Sequence, residues 1–233
     1  PVPDRGGRLM RGCADAQLAV IPHPSPNLGP RRNGATPDMI VLHYTAMATP
    51  EAALDRLCDA QAEVSAHYLV CERGRIWRMV DEEMRAWHAG AGQWGNVSDV
   101  NSRSIGIELA NTGTHPFAAP QMAALERLMA DIMPRWQIAP ARVIAHSDMA
   151  PARKSDPGPR FDWQRLATLG CARPASRSHA ATAATPQTLR EAAQARGFTA
   201  EVDDATLLEA VRLRYRPWGE GPLCRDDLIP LLD

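Results

Sequence analysis

Met39-Ile-Val-Leu-His-Tyr44 is an apolar run that ends in an imidazole and a phenol. So short a run, bounded by polar residues, predicts a buried strand whose last residues emerge into solvent. Reading outward, Thr49-Pro50 predicts a helix start, with a hydroxyl at the N-cap and proline at the first helical position, and the helix is expected to reach about residue 62. Residues 64–70 and 76–80 predict two strands joined as a hairpin through Glu72-Arg-Gly-Arg75. A long loop follows over 81–103. In Ser104-Ile-Gly-Ile-Glu-Leu-Ala110 apolar residues alternate with small or polar ones, the period of a strand with two unlike faces. Met122, Leu125, Met129 and Ile132 recur at helical spacing between Pro120 and Pro134. Residues 143–146 predict another short strand and 161–169 another helix. Upstream, residues 1–37 are rich in Pro, Gly and Arg and predict an irregular arm, because so many prolines deny ladder hydrogen bonds. Strands and helices mixed in this way predict an α/β (α+β) fold, a mixed central sheet flanked by helices.

Residues 171–187 (CARPASRSHAATAATPQ) have almost no apolar bulk and read as a linker. Beyond it, helices are expected over 189–196, closed by Gly197, over 205–215, stopped by Pro217, and over 226–232. The chain of 233 residues thus divides into a main domain with its arm (1–172), a linker (173–187) and a small three-helix module (188–233), the last near the lower size limit for independent folding.

Composition excludes several classes. With 26 basic and 27 acidic residues and 45% hydrophobic residues the chain is ordinary globular material, and its near-neutral charge lacks the basic excess a nucleic-acid binder needs. No apolar run approaches the ~18 residues of a membrane helix, and no signal-peptide core is present. Without a leader a cytoplasmic location is expected. The chain begins at Pro1 rather than Met, so a removed leader, with a periplasmic or outer-membrane-associated location, stays open. The five cysteines are odd in number and form no C-x-x-C, which excludes a zinc knuckle and a fully paired disulfide framework and mildly favours a reducing compartment. Gly90-Ala-Gly-Gln-Trp-Gly95 matches a dinucleotide fingerprint only in spelling: no strand leads into it and no helix pattern follows.

The chemistry lies at strand ends. His43 closes the first strand, His146 closes Arg142-Val-Ile-Ala-His146, and Asp156 follows in a loop stiffened by prolines. Two strand-tip histidines and a loop carboxylate make a three-ligand zinc site with a fourth position left for water. Glu108 shares its strand face with Gly106 and Ala110, so it faces open space rather than packed core; a salt bridge to an arginine is the alternative. Of the basic residues only Lys154 is a lysine, a compact point charge in a chain that otherwise uses arginine.

These residues carry a resemblance. LHYTA around His43, SAHYLV around His67, AWHAG around His88, SIGIELAN around Glu108 and AHSDMAPARKSDPG from Ala145 resemble the zinc-dependent N-acetylmuramoyl-L-alanine amidases of the AmpD/AmiD type, which are related in fold to peptidoglycan recognition proteins. The match covers roughly residues 20–170. It implies one zinc ion per chain held by His43, His146 and Asp156, a catalytic pair of Glu108 and Lys154, and a peptidoglycan or muropeptide substrate. Tyr44 and Asn111 are expected to line the cleft and His88 to contact substrate at its rim, while His67, mid-strand, reads as a core histidine. The tail from Leu189 resembles small peptidoglycan-binding modules and is expected to be dispensable for chemistry; a merely packing appendage is the alternative. A non-catalytic peptidoglycan-binding or sensing protein on the same fold is the second functional reading. A zinc endopeptidase is disfavoured, since H-E-x-x-H does not occur.

Overall fold

The computed structural model describes residues 18–178 and 183–232. The start of the arm with Cys13, positions 179–182 of the linker with His179, and Asp233 lie outside the described residues. In chain order the elements are β1 (Val20–Pro22), β2 (Leu28–Pro30), β3 (Met39–Tyr44), α1 (Pro50–Cys58), β4 (Tyr68–Val70), β5 (Ile76–Arg78), β6 (Met84–Ala86), α2 (Val100–Arg103), β7 (Ser104–Leu109), α3 (Ala119–Trp136), β8 (Val143–Ala145), α4 (His146–Met149), α5 (Trp163–Thr168), α6 (Pro186–Arg196), α7 (Asp204–Tyr215) and α8 (Arg225–Leu228). The main sheet runs β1-β5-β4-β7-β3-β8. Strand β3 lies inside it, parallel to β7 on one side and to β8 on the other, and β8 is an edge. The β4–β5 pair is the expected antiparallel hairpin.

Side-chain alternation decides what each face touches. Ile40 and Leu42 of β3, Ile105, Ile107 and Leu109 of β7, and Tyr68 and Val70 of β4 form one core with Met122, Leu125, Leu128, Met129 and Ile132 of α3. Each such side chain, fully buried, contributes about 1.5–3 kcal/mol through apolar transfer. The opposite face has two separate covers. Met39, Val41 and Ile144 pack under Leu189, Ala193, Leu207, Val211 and Leu228 of the C-terminal helices. Leu69 packs under Ala53, Leu54 and Leu57 of α1. Between these covers the polar residues of β3 and β7 remain free to form a site.

The structure corrects several expectations. The arm is not irregular throughout: β1 joins the sheet edge beside β5, and β2 pairs with β6, a strand inside the predicted loop. Prolines are tolerated there because these are short edge elements, with Pro22 and Pro30 at strand ends. Arg31 fastens the arm by donating to the carbonyls of Glu82, Ser102 and Ser104, and its burial pulls it down to about 10. Helix α1 stops at Cys58 and a separate 3-10 turn, capped by Asp59, spans Ala60–Ala62. Helix α3 continues past Pro134 to Trp136, where the missing amide affects only the last turn. The C-terminal helices form where expected, but they share a core with the sheet. Gly197 closes α6 at φ 110 and lies flat on Trp94, whose ring a Cβ would meet at 2.5 Å. Trp94 also meets Phe198 edge-on at 5.1 Å. Among the described residues no helix is long and apolar enough to cross a membrane, and Cys58, Cys71, Cys171 and Cys224 are free thiols.

Candidate active site

The tips of β3 and β8 deliver His43 and His146 side by side, and the loop after α4 returns Asp156 to them. His43 Nδ1 lies 2.9 Å from His146 Nδ1 and 2.9 Å from Asp156 Oδ2, and His146 Nδ1 is 3.0 Å from the same oxygen. All three side chains are buried.

The hydrogen-bond network sets the ring tautomers. Ser104 Oγ donates to Val100 O at 2.6 Å, so it accepts from His88 Nε2–H at 3.1 Å. His88 Nδ1 then accepts from His43 Nε2–H at 3.0 Å, which leaves His43 Nδ1 bare. His146 gives its Nε2–H to Ala89 O at 2.9 Å and is bare at Nδ1 for the same reason. Two lone pairs and a carboxylate therefore converge with no proton of their own to separate them. Their spacing is close to the ~3.3 Å edge of a tetrahedron whose ligands lie 2.0–2.1 Å from a central ion. The donor set fits a divalent metal, and among the described residues it is the one grouping with such an arrangement. Burial pulls His43 down to about 4, with the neighbouring His146 acting in the same direction.

Glu108, in register with His43 on the adjacent strand, opens onto the same cavity of about 430 Å³. Its Oε2 is shut off from solvent and has no hydrogen-bond partner. The alternative of an arginine salt bridge is not realised. Burial pushes the carboxyl up to about 8, the Asp156 charge pushes the same way and the Lys154 cation opposes both. Lys154, exposed at the cavity edge, and Tyr44, whose hydroxyl meets Ser155 Oγ at 3.1 Å, also line it.

Two expected contacts are more buried than their sequence surroundings suggest. His88 lines the same cavity but is largely buried behind His43, pressed against Gly106, where a Cβ would lie 2.4 Å from its ring. Asn111 is absent from the cavity wall: its carboxamide spans its own loop, donating to His115 O and accepting from Gly113 N–H. His67 is the expected core histidine, accepting at Nδ1 from Gly106 N–H at 3.0 Å. Sequence reasoning missed Ser104, which ends the tautomer chain, and Arg153, which lines the cavity and donates to Ala89 O and Ala91 O. A polar residue starting an otherwise apolar strand was the only local signal for Ser104.

A protein-family model described as N-acetylmuramoyl-L-alanine amidase matches residues 33–159. The N-acetylmuramoyl-L-alanine amidase AmiD of Escherichia coli (strain K12) is 40% identical over 182 residues, 70% of this chain and 64% of AmiD, so the match spans just under two thirds of that relative. The 1,6-anhydro-N-acetylmuramyl-L-alanine amidase AmpD of the same organism is 36% identical over 166 residues, 63% of this chain and 89% of AmpD. A solved complex of E. coli AmiD with the substrate anhydro-N-acetylmuramic acid-L-Ala-D-gamma-Glu-L-Lys is similar with a TM-score of 0.74 and 31% identity, covering 94% of this chain and 90% of that one.

Proposed function

Since the chain belongs to the N-acetylmuramoyl-L-alanine amidase family, we propose that it hydrolyses the amide joining N-acetylmuramic acid, or its anhydro form, to L-alanine in peptidoglycan or muropeptides. The observation that carries this reading is the convergence of His43, His146 and Asp156 beside the unpartnered carboxylate of Glu108 in one cavity. The three ligands would hold one zinc ion. Bound there, zinc would supply Lewis acidity and a water whose pKa falls towards ~7.

The remaining chemistry belongs to the chain. Glu108, ionised, accepts the proton of the water whose oxygen attacks the lactyl carbonyl carbon. It then returns that proton to the alanine nitrogen as the C–N bond breaks, leaving a carboxylate on the sugar and a free amine on the peptide. A carboxyl shielded from solvent and held near 8 is matched to both transfers. Lys154 presents a compact cation at the cavity edge, where it stabilises charge developing on the carbonyl oxygen. Tyr44 offers a ring and hydroxyl to the substrate, and His88, which also lines the cavity, orients His43.

Incubating the protein with an anhydro-muropeptide should release peptide with a free L-alanine amine, a chelator should stop release, and added zinc should restore it. No release by zinc-loaded protein would overturn the reading. No observation favours the non-catalytic alternative. Within the division 1–172, 173–187 and 188–233, we assign polymer holding to the helical segment. Trp218, 73% exposed, stands with Tyr215 beside a groove of about 450 Å³. A Trp218→Ala chain should pellet less with insoluble peptidoglycan while hydrolysing soluble muropeptide at the full rate.

A further inference from the structure

Arg214 lies on α7, in the segment that sequence reasoning separates from the main domain, yet its side chain is buried in that domain. Its Nη1 donates to Asp148 Oδ2 at 3.1 Å and its Nη2 to Val143 O at 3.1 Å. Its guanidinium carbon sits 3.4 Å from the centroid of the Trp163 ring. A planar fork stacked on an indole and bonded at two points has little freedom to turn. Both members of the ion pair are almost fully buried, so neither is replaced by water at low cost.

What the fork holds is the elbow between β8 and α4. Val143 is the first residue of β8, and Asp148 lies in the single turn of α4 that begins at His146. The same Asp148 oxygen accepts from Ala145 N–H at 2.8 Å, directly before His146. One residue beyond His146, Ser147 N–H donates to Asp156 O at 3.0 Å. The elbow therefore sets the backbone of one metal-ligand candidate and, through Ser147, ties down that of a second. Among the described residues strand β8 is an edge with β3 as its only neighbour, so the sheet alone braces it from one side.

We propose that Arg214 is a positioning residue for the metal centre: the C-terminal helices complete the site by clamping the β8–α4 elbow that carries His146 and tethers Asp156. This rests on the reading of His43, His146 and Asp156 as zinc ligands. It also reverses the expectation that the tail is dispensable for chemistry. The polar brace lies outside the ligand set, and removing such outer partners weakens metal affinity by roughly 10–100-fold.

The test uses the full chain with Arg214→Met, which keeps an unbranched apolar stem but removes the fork, and Val211→Ala as a control. Val211 is buried at the same helix–sheet interface, and its aliphatic side chain can neither ion-pair with nor hydrogen-bond to Asp148. Zinc affinity is measured by chelator competition, and ligand geometry by the visible absorption of the cobalt-substituted protein. Arg214→Met should bind zinc about 10–100-fold more weakly, change the cobalt spectrum and lower kcat with KM nearly unchanged. Val211→Ala should lower the melting temperature while keeping affinity and spectrum. Folded Arg214→Met with wild-type affinity and spectrum would overturn the proposal, as would equal weakening in Val211→Ala. If Arg214→Met does not fold, Asp148→Asn decides by the same two measurements, weakened zinc binding supporting the brace and wild-type binding refuting it. A wild-type chain that takes up no zinc removes the functional reading and this one with it.

Discussion

His43 and His146 meet at one apex but arrive from strands in opposite circumstances. Strand β3 is flanked by β7 and β8 and covered on both faces, and the brace behind His43 is His88 and Ser104, from the loop and strand immediately beside it. Strand β8 is an edge, and the brace behind His146 includes a guanidinium 66 residues further along the chain than the aspartate it grips. Each side also supplies one of the two groups proposed for the chemistry, Glu108 from β7 at the centre and Lys154 from the loop beyond α4 at the edge. A ligand on a central strand is positioned by the sheet itself. A ligand on an edge strand needs an outside support, and here the C-terminal helices supply it.

The largest effects should show the two sides as equals. His43→Ala and His146→Ala should each reduce bound zinc from about one per chain to near none, because a three-ligand site has none to spare. Metal analysis showing full zinc in either variant would break the symmetry at the apex and remove that histidine from the site. Next come the catalytic groups, where metal should stay and rate should go. Glu108→Gln should lower kcat by roughly 10²–10⁴, the usual worth of a general base. Lys154→Arg keeps the charge but broadens it into a planar fork, and kcat should fall by about 10²–10³ with KM little changed. Near-normal kcat in that variant would reduce the edge side to metal holding alone.

A pH profile sharpens the same contrast. Glu108 must be ionised, so the rate should rise with pH as its proton leaves. Bound zinc, a nearby dication, favours the carboxylate and should place this limb below the value of about 8 set by burial and Asp156. The Lys154 cation acts in the same direction as zinc. Lys154→Met should therefore move the limb to higher pH, and a shift to lower pH would contradict the pairing across the cleft. The smallest effect belongs to the central brace. Ser104→Ala removes the acceptor that orients His88 and should weaken zinc about 10-fold, the lower end for such partners, with little change in melting temperature. A stronger effect than Arg214→Met would mean that the central strand depends more on side-chain bracing than the edge does.

The three strands that build the site were legible because each announces itself locally. The alternation in SIGIELA separates the face that packs on α3 from the face that bears Glu108, and an apolar run ending in histidine marks each tip. Strands β1, β2 and β6 were not legible, since three residues carry no period and two of these strands include proline. His88 was seen as a polar residue in a glycine-rich loop, which describes its sequence surroundings but not the burial that Gly106 permits. For Asn111, adjacency to Glu108's strand suggested the cleft, whereas the structure shows its amide bonded within its own loop. The pairing of Arg214 with Asp148 gave no signal, because the two lie 66 residues apart and meet only when the tail folds back on the sheet.

The tautomer chain from Val100 through Ser104 and His88 to His43 has a calorimetric consequence. At neutral pH His43, pulled down to about 4, holds no extra proton, and Asp156 is already ionised. The lone pairs that meet at the apex are exposed before any ion arrives. Zinc uptake at pH 7 should accordingly displace no proton from His43 or Asp156, so any dependence of its measured heat on buffer ionisation enthalpy would report the protons that zinc drives off Glu108 and its water. Below about pH 5 the ion must also compete with protons for His43, and a further contribution from that ring should appear in the heats.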